Sequence, residues 1–249
     1  MKNKIKKNFP KLFFLLRFFY HTLVLTPFLA IRYIYMKYIC REELYNPSIE
    51  KYRDTWQEQL KLKKNDSYTN WREEKHTKDQ KLDENRKTLQ SKSKDFHSIL
   101  EIGSYDGYFI KDYFDFKKII CADVFKESGE FILEHFPNHR DITFVLLNGE
   151  NLNNIPNDSV DFIYSMDSLT RVPVKVIENY LIDFGKVVRD KGEIFVHVPK
   201  FNFNNKLNGH TSLRKARMSS LLQDNFESIS FVDDLDLMGT FISARKINS

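Results

Sequence analysis

The segment Glu101-Ile102-Gly103-Ser104-Tyr105-Asp106-Gly107 sets a carboxylate and two glycines into one short turn, directly after the apolar pair Ile99-Leu100. Glycine has no Cβ and reaches φ > 0 without strain, so such a turn lets the backbone pass close to a bound small molecule. A second carboxylate, Asp123, closes the segment KKIICAD at residues 117–123. At a strand end beside a glycine turn it can accept hydrogen bonds from both hydroxyls of a ribose, as acidic residues do in dinucleotide-binding folds. The plain alternative is a solvated loop aspartate. A dinucleotide itself is disfavoured. The fingerprint G-x-G-x-x-G needs glycine at its second position so that a pyrophosphate can approach the helix start, and Tyr105 stands there.

Residues of this kind need a sheet to hold them. From residue 96 onward strand-like and helix-like segments alternate, the sign of a doubly wound sheet. Strands are predicted near 97–102, 117–123, 142–147, 160–165, 193–198, 226–232 and 239–246. Helices are predicted over 107–115, 126–135, 174–189 and 211–223. Only Asp233-Asp234-Leu235-Asp236 separates the last two strands, which suits a hairpin better than a helical crossover. The expected fold class is α/β: a doubly wound, mostly parallel seven-stranded sheet with an antiparallel C-terminal hairpin, preceded by an N-terminal helical extension.

The spacing E-x-G-x-x-x-G at residues 101–107 resembles motif I of the Rossmann-like, class I S-adenosylmethionine-dependent methyltransferases. Asn148-Gly149-Glu150-Asn151 is similar to the family's Gly-Asp-Ala segment, with Glu150 in place of the more usual Asp. Val160-Asp161-Phe162-Ile163-Tyr164-Ser165 and the following Met166-Asp167-Ser168-Leu169-Thr170-Arg171-Val172 resemble the pattern D-x-V-x-S-x-D-x-L-x-H-V, with Arg171 where histidine is common. A basic residue and Gly192 then stand between a predicted helix and an apolar strand ending in Pro199, with the glycine read as a helix stop. The resemblance covers about residues 96–246. It implies S-adenosyl-L-methionine as cofactor, with Glu101, Gly103, Ser104, Tyr105 and Gly107 against its methionine and ribose portion. It further implies Asp123 and Val124 at the ribose, Gly149, Glu150 and Asn151 at the adenine, and Ser165 and Met166 beside them. Tyr105, Glu150 and Arg171 are its departures from the family. They keep open a second reading, a non-catalytic, membrane-tethered scaffold or partner-binding protein with this fold.

Methyl transfer asks the protein chiefly to align nucleophile, carbon and sulfur, and a hydroxyl acceptor also benefits from a base. Asp167 and His210 are the candidate catalytic residues, because both fall on loops beyond the fourth and fifth strands. His197 lies inside the fifth strand and is read as a packed core histidine. No metal-ligand cluster has recognisable spacing. The loop 200–211 is rich in Asn, with Phe201 and Phe203 interleaved, a composition compatible with a polyhydroxylated acceptor.

Length and charge bound the rest. A chain of 249 residues suits one α/β domain plus an extension. Two cysteines, Cys40 and Cys121, exclude a disulfide framework and fit a reducing compartment. The net charge of +5 is concentrated in the first seven residues and in 61–94, which fits an anionic membrane surface better than a nucleic-acid groove. Residues 9–39 are the most apolar part. On a helical wheel at about 100° per residue, Lys7, Lys11, Arg17, His21, Thr22 and Arg32 gather within roughly 140°. That is the pattern of a helix lying in a membrane interface, kinked at Pro27; a true span and a buried or partner-binding helix are the alternatives. The expected organisation is thus 1–41 as a membrane-associating segment, 42–95 as a charged helical linker or lid, and 96–249 as the methyltransferase-like domain. The lid reading rests on Tyr52, Trp56 and Trp71. The expected acceptor is a small molecule, a glycan or a lipid at the cytoplasmic face of the inner membrane, with no nucleic-acid partner. The abundance of Lys, Asn, Ile and Phe fits an AT-rich bacterial genome.

Overall fold

The computed structural model describes residues 80–113, 115–137, 141–200, 213–233 and 239–248. The segment 1–41, the aromatic residues Tyr52, Trp56 and Trp71, and the loop 201–212 with His210 lie outside the described residues. In chain order the elements are α1 (Gln80–Asp95), β1 (Ser98–Ile102), a 3-10 turn (Ile110–Tyr113), β2 (Lys118–Asp123), α2 (Lys126–His135) and β3 (Ile142–Leu146). There follow β4 (Val160–Ser165), a second 3-10 turn (Leu169–Arg171), α3 (Val174–Val187), β5 (Val188–Pro199), α4 (Lys215–Leu222), β6 (Phe226–Asp233) and β7 (Gly239–Lys246).

One seven-stranded sheet runs in the order β3-β2-β1-β4-β5-β7-β6. The strands from β3 to β5 are parallel, and β7 joins β5 and β6 antiparallel, as expected from the short connection. The central strands are buried on both faces, β1 throughout and β2 and β4 at all but one position each, which is why their sequences read as near-continuous apolar runs. The edge strands β3 and β6 are much more exposed. Alternation along β1 divides the core. Leu100 and Ile102 face Ile177, Leu181 and Phe184 of α3 and Met218 and Leu222 of α4, whereas Ile99 faces Leu89 of α1, Ile110, Tyr113 and Ile132 of α2. The result is a sheet between two helical layers.

The α3 stripe Ile177, Tyr180, Leu181 and Phe184 repeats at three and four residues, the spacing that turns one helical face to a core. Two predicted elements differ from what forms. The α-helix expected over 107–115 is replaced by turns and the 3-10 segment. Its buried residues Ile110 and Tyr113 stand three apart, the period that stacks side chains on a 3-10 turn. The helix expected to reach 189 ends at Val187, and Gly192 does not stop it. Asp158 and Ser159 donate their N–H groups to the carbonyls of Lys186 and Val187 (2.9 Å each), satisfying the helix end directly. Gly192 serves close packing instead, since a Cβ there would lie 2.6 Å from the Asp161 carbonyl oxygen.

Helix α1 belongs to the highly charged stretch before residue 96, yet its Leu89 is fully buried beside Ile99 and Phe109. Lys92 pairs with Glu193 of β5, which also accepts from Arg245 Nε of β7 (2.9 Å). Arg86 donates to the Tyr108 hydroxyl (3.0 Å) and pairs with Asp112. The packed fold therefore takes in the last sixteen residues of that stretch. Among the described residues no helix is long and apolar enough to cross a membrane.

Candidate functional site

The chain leaves β1 in one direction to β2 and β3 and then crosses to the other side for β4 and β5. Such a reversal opens a crevice beyond the carboxyl ends of β1 and β4, where ligands of doubly wound sheets bind. The turn 103–107 sits at that point. Gly103 and Gly107 have φ of 77° and 70°, and Tyr105 between them is left-handed at 46°. Gly103 and Ser104 donate to the Ala122 carbonyl of β2 (2.7 and 3.2 Å), and Gly107 N–H closes the turn on Ser104 (2.7 Å). Both glycines are needed for space as well as conformation. A Cβ on Gly103 would overlap Ser168 Oγ, and one on Gly107 would lie 2.5 Å from Ile110 Cδ1.

Asp123, at the end of β2, is only 6% exposed. Its Oδ2 accepts from Tyr105 N–H (2.8 Å), and its Oδ1 accepts from the N–H groups of Val124 (2.7 Å) and Phe125 (3.2 Å). Burial pushes this carboxyl up to about 6, outweighing the three backbone donors that favour its charged form. Burial, and then the Asp123 charge, push the Tyr105 hydroxyl up to about 12. A carboxylate offers about four acceptor positions. Three of them are filled here, so the carboxylate has capacity for one more donor.

The other predicted residues divide into three groups. Ser104 Oγ is buried with no hydrogen-bond partner among the described residues, a vacancy worth about 1–3 kcal/mol to a ligand group that fills it. Glu101 stands level with Cys121 and Tyr164 across three parallel strands and shares their face of the sheet. There it is buried, and after burial itself its charge helps push the Tyr113 and Tyr164 hydroxyls and the Cys121 thiol upward. Gly149, left-handed at 79°, Glu150 and Asn151 form a turn tied together by Asn148, whose Oδ1 accepts from the N–H groups of Glu150 (2.8 Å) and Asn151 (3.0 Å). Helix α3 holds that turn in place. Asn179 Nδ2 donates to the Glu150 carbonyl (3.0 Å), and Asp183 accepts from Leu152 N–H (3.0 Å). Leu147 N–H donates to the Asp123 carbonyl (2.8 Å), which brings the turn beside the end of β2. Glu150 itself is exposed and Val124 half-buried.

After β4 the chain meets the glycine turn directly. Ser165 Oγ donates to the Ile102 carbonyl (2.9 Å) and Ser168 Oγ to that of Gly103 (3.0 Å), with buried Met166 between them. Asp167 lies on the same rim, left-handed at 57°, its carbonyl accepting from Thr170 Oγ1 (2.7 Å). Its carboxylate meets His197 Nδ1 at 2.8 Å. His197 is buried, as a core histidine should be, but it is also joined to a candidate catalytic residue, which its position inside a strand did not suggest. The parallel register Ser165↔Val196 brings the two ends together. Among the described residues no group of three or more His, Cys, Asp or Glu could hold a metal ion.

No protein-family model matches the sequence, and no curated protein matches it either. Solved structures do. The chain is similar to the N-methyltransferase NodS from Bradyrhizobium japonicum, with 14% identity and a TM-score of 0.53 over 67% of this chain and 97% of that one. It is similar to the trans-methyltransferase CalH, solved with S-adenosylhomocysteine, with 14% identity and a TM-score of 0.51 over 65% of this chain and 55% of that one. Against the CurJ carbon methyltransferase the match spans 61% of this chain and about half, 48%, of that one, with 14% identity and a TM-score of 0.49. At these identities what is shared is the fold, and that fold is the class I methyltransferase fold.

Proposed function

We propose that this chain is an S-adenosylmethionine-dependent methyltransferase that methylates an oxygen of a glycan, lipid-linked saccharide or lipid head group at the cytoplasmic face of a membrane. The observation that carries the reading is the glycine turn 103–107 locked to the end of β2 at the point where strand order reverses, with the Asp123 carboxylate directly behind it. Likeness of fold to methyltransferases, some solved with S-adenosylhomocysteine, supports it. S-adenosylmethionine, when bound, supplies a methyl carbon made electrophilic by the sulfonium. Gly103 and Ser104 would line its methionine and ribose side, Asp123 would accept from a ribose hydroxyl, and the turn at 149–151 would border the adenine. The Ser104 hydroxyl, buried with no hydrogen-bond partner among the described residues, fits a polar ligand at this turn. On the acceptor side Asp167 takes the hydroxyl proton.

The choice of acceptor rests on the Asn- and Phe-containing loop 200–211 and on the basic, apolar segment 1–41. Mass spectrometry of membrane glycans and lipids from cells with and without the gene tests it. The expected result is one species that gains the mass of a methylene only when the gene is present; identical spectra remove the proposed acceptor. A second reading, a non-catalytic scaffold on this fold, is favoured by one observation. Asp123 is nearly enclosed, and three backbone N–H groups already occupy it. Loss of all binding to S-adenosylhomocysteine in the intact chain would establish that reading instead.

A further inference from the structure

We infer that His197 is a positioning residue which holds Asp167 as the acceptor-side base, and that Gly239 exists to make room for it; this rests on the methyltransferase reading. A carboxylate only accepts hydrogen bonds, so in the neutral ring the 2.8 Å contact from His197 Nδ1 to Asp167 Oδ1 puts the ring proton on Nδ1. The two side chains are exposed very unequally, 2% for His197 and 53% for Asp167. The carboxylate therefore faces the rim while the imidazole stands behind it, out of reach of any acceptor. That order reverses the usual one, in which a carboxylate stands behind a histidine base.

Asp167 needs such a support. Its backbone is left-handed at φ 57°, a conformation that costs a non-glycine residue energy and persists only where neighbours hold it. Thr170 Oγ1 holds its carbonyl, and His197 holds its carboxylate through one oxygen.

The ring is fixed in turn by its own surroundings. It stacks on Phe241 of β7, with centroids 4.6 Å apart and planes within 20°. Nε2 lies against Gly239, where any Cβ would overlap it. Gly239 pairs with Pro199 at the start of β7, and its φ lies outside the left-handed region, so its small size and not its conformation is what the site uses. His197 thus joins β5, β7 and the loop after β4 at one point.

The test uses the full chain in four forms: wild type, His197→Phe, His197→Asn and Gly239→Ala. Asn retains an N–H donor close to the Nδ1 position, and Phe retains only the stacking. Affinity for S-adenosylhomocysteine is expected to be the same in all four, because none of the substitutions touches the glycine turn. Transfer of tritiated methyl from S-adenosylmethionine to a detergent extract of bacterial membrane lipids and saccharides is expected to fall about tenfold or more in kcat for His197→Phe and Gly239→Ala, with KM unchanged. His197→Asn is expected to keep kcat within about threefold of wild type, since the donor to Asp167 survives. Nitrogen-15 spectra of the wild-type imidazole supply a readout that needs no acceptor and no substitution. They are expected to show a proton on Nδ1, with its signal shifted in Asp167→Ala. An Nδ1 without a proton, or wild-type turnover in His197→Phe, overturns the inference. Failure of the wild type to bind S-adenosylhomocysteine sinks the methyltransferase reading, and the assignment of His197 as its positioning residue with it.

Discussion

Asp123 concentrates the chemistry of the site into one carboxylate. It closes the glycine turn through Tyr105 N–H, and in the proposed function it accepts from a ribose hydroxyl. Replacing it with Ala in the full chain is expected to weaken S-adenosylhomocysteine affinity by about 1–3 kcal/mol at neutral pH, the worth of a charge-assisted hydrogen bond. Calorimetry on the two proteins checks this, and equal affinities would remove Asp123 from the ribose. The same residue sets a pH dependence. In the fold its proton is held to about pH 6, against an ordinary value of 3.8. The folded chain thus binds that proton more tightly than the unfolded chain. This contribution to stability is complete below pH 3.8 and is lost as the pH rises through 6, a fall on the order of 3 kcal/mol. Urea unfolding of wild type and Asp123→Asn from about pH 4 to about pH 7 is expected to show this fall in wild type only. Parallel curves would mean that the carboxylate is not held in a dry site.

At the scale of elements, α1 extends the fold beyond the alternating pattern that made the sheet legible. Leu89 is its buried anchor among Ile99, Phe109 and Tyr113, and Leu89→Ala is expected to lower unfolding stability by about 2–5 kcal/mol. A change under about 0.5 kcal/mol, the range of surface substitutions, would mean that α1 is a passenger. The sheet was readable because its central strands are continuous apolar runs and its hairpin has a short, acidic connection. The α1 docking was not, because two leucines seven residues apart in a run of charged and polar residues give no stripe, and the burial of Leu89 depends on strands that follow it in sequence. The Asp167–His197 contact was hidden for a different reason. Between Val160↔Val188 and Phe162↔Glu193, β5 carries three more residues than β4. That bulge, with Lys191 left-handed at 63°, moves His197 level with the loop after β4. A straight strand would have set Ile194 there. Register across a bulge is a property of the packed sheet, whereas the glycine turn and Asp123 declare themselves by residue type alone.

For the whole molecule, the account joins a class I methyltransferase fold to a proposed membrane address. Deleting residues 1–41 is expected to release the protein from liposomes containing anionic lipid while S-adenosylhomocysteine affinity stays unchanged. Undiminished liposome binding, or loss of the ligand together with the segment, would assign 1–41 to the folded core or to a partner. Everything proposed about chemistry depends on whether the crevice beyond β1 and β4 receives an adenosyl ligand. Titration calorimetry of the intact chain with S-adenosylhomocysteine addresses this most directly. The expected result is saturable one-to-one binding, with a thermal midpoint that rises with ligand by the mass-action amount of about 2.7 kcal/mol at a hundredfold excess over Kd. No heat and no thermal shift at millimolar ligand would contradict the account, leaving the fold without the chemistry.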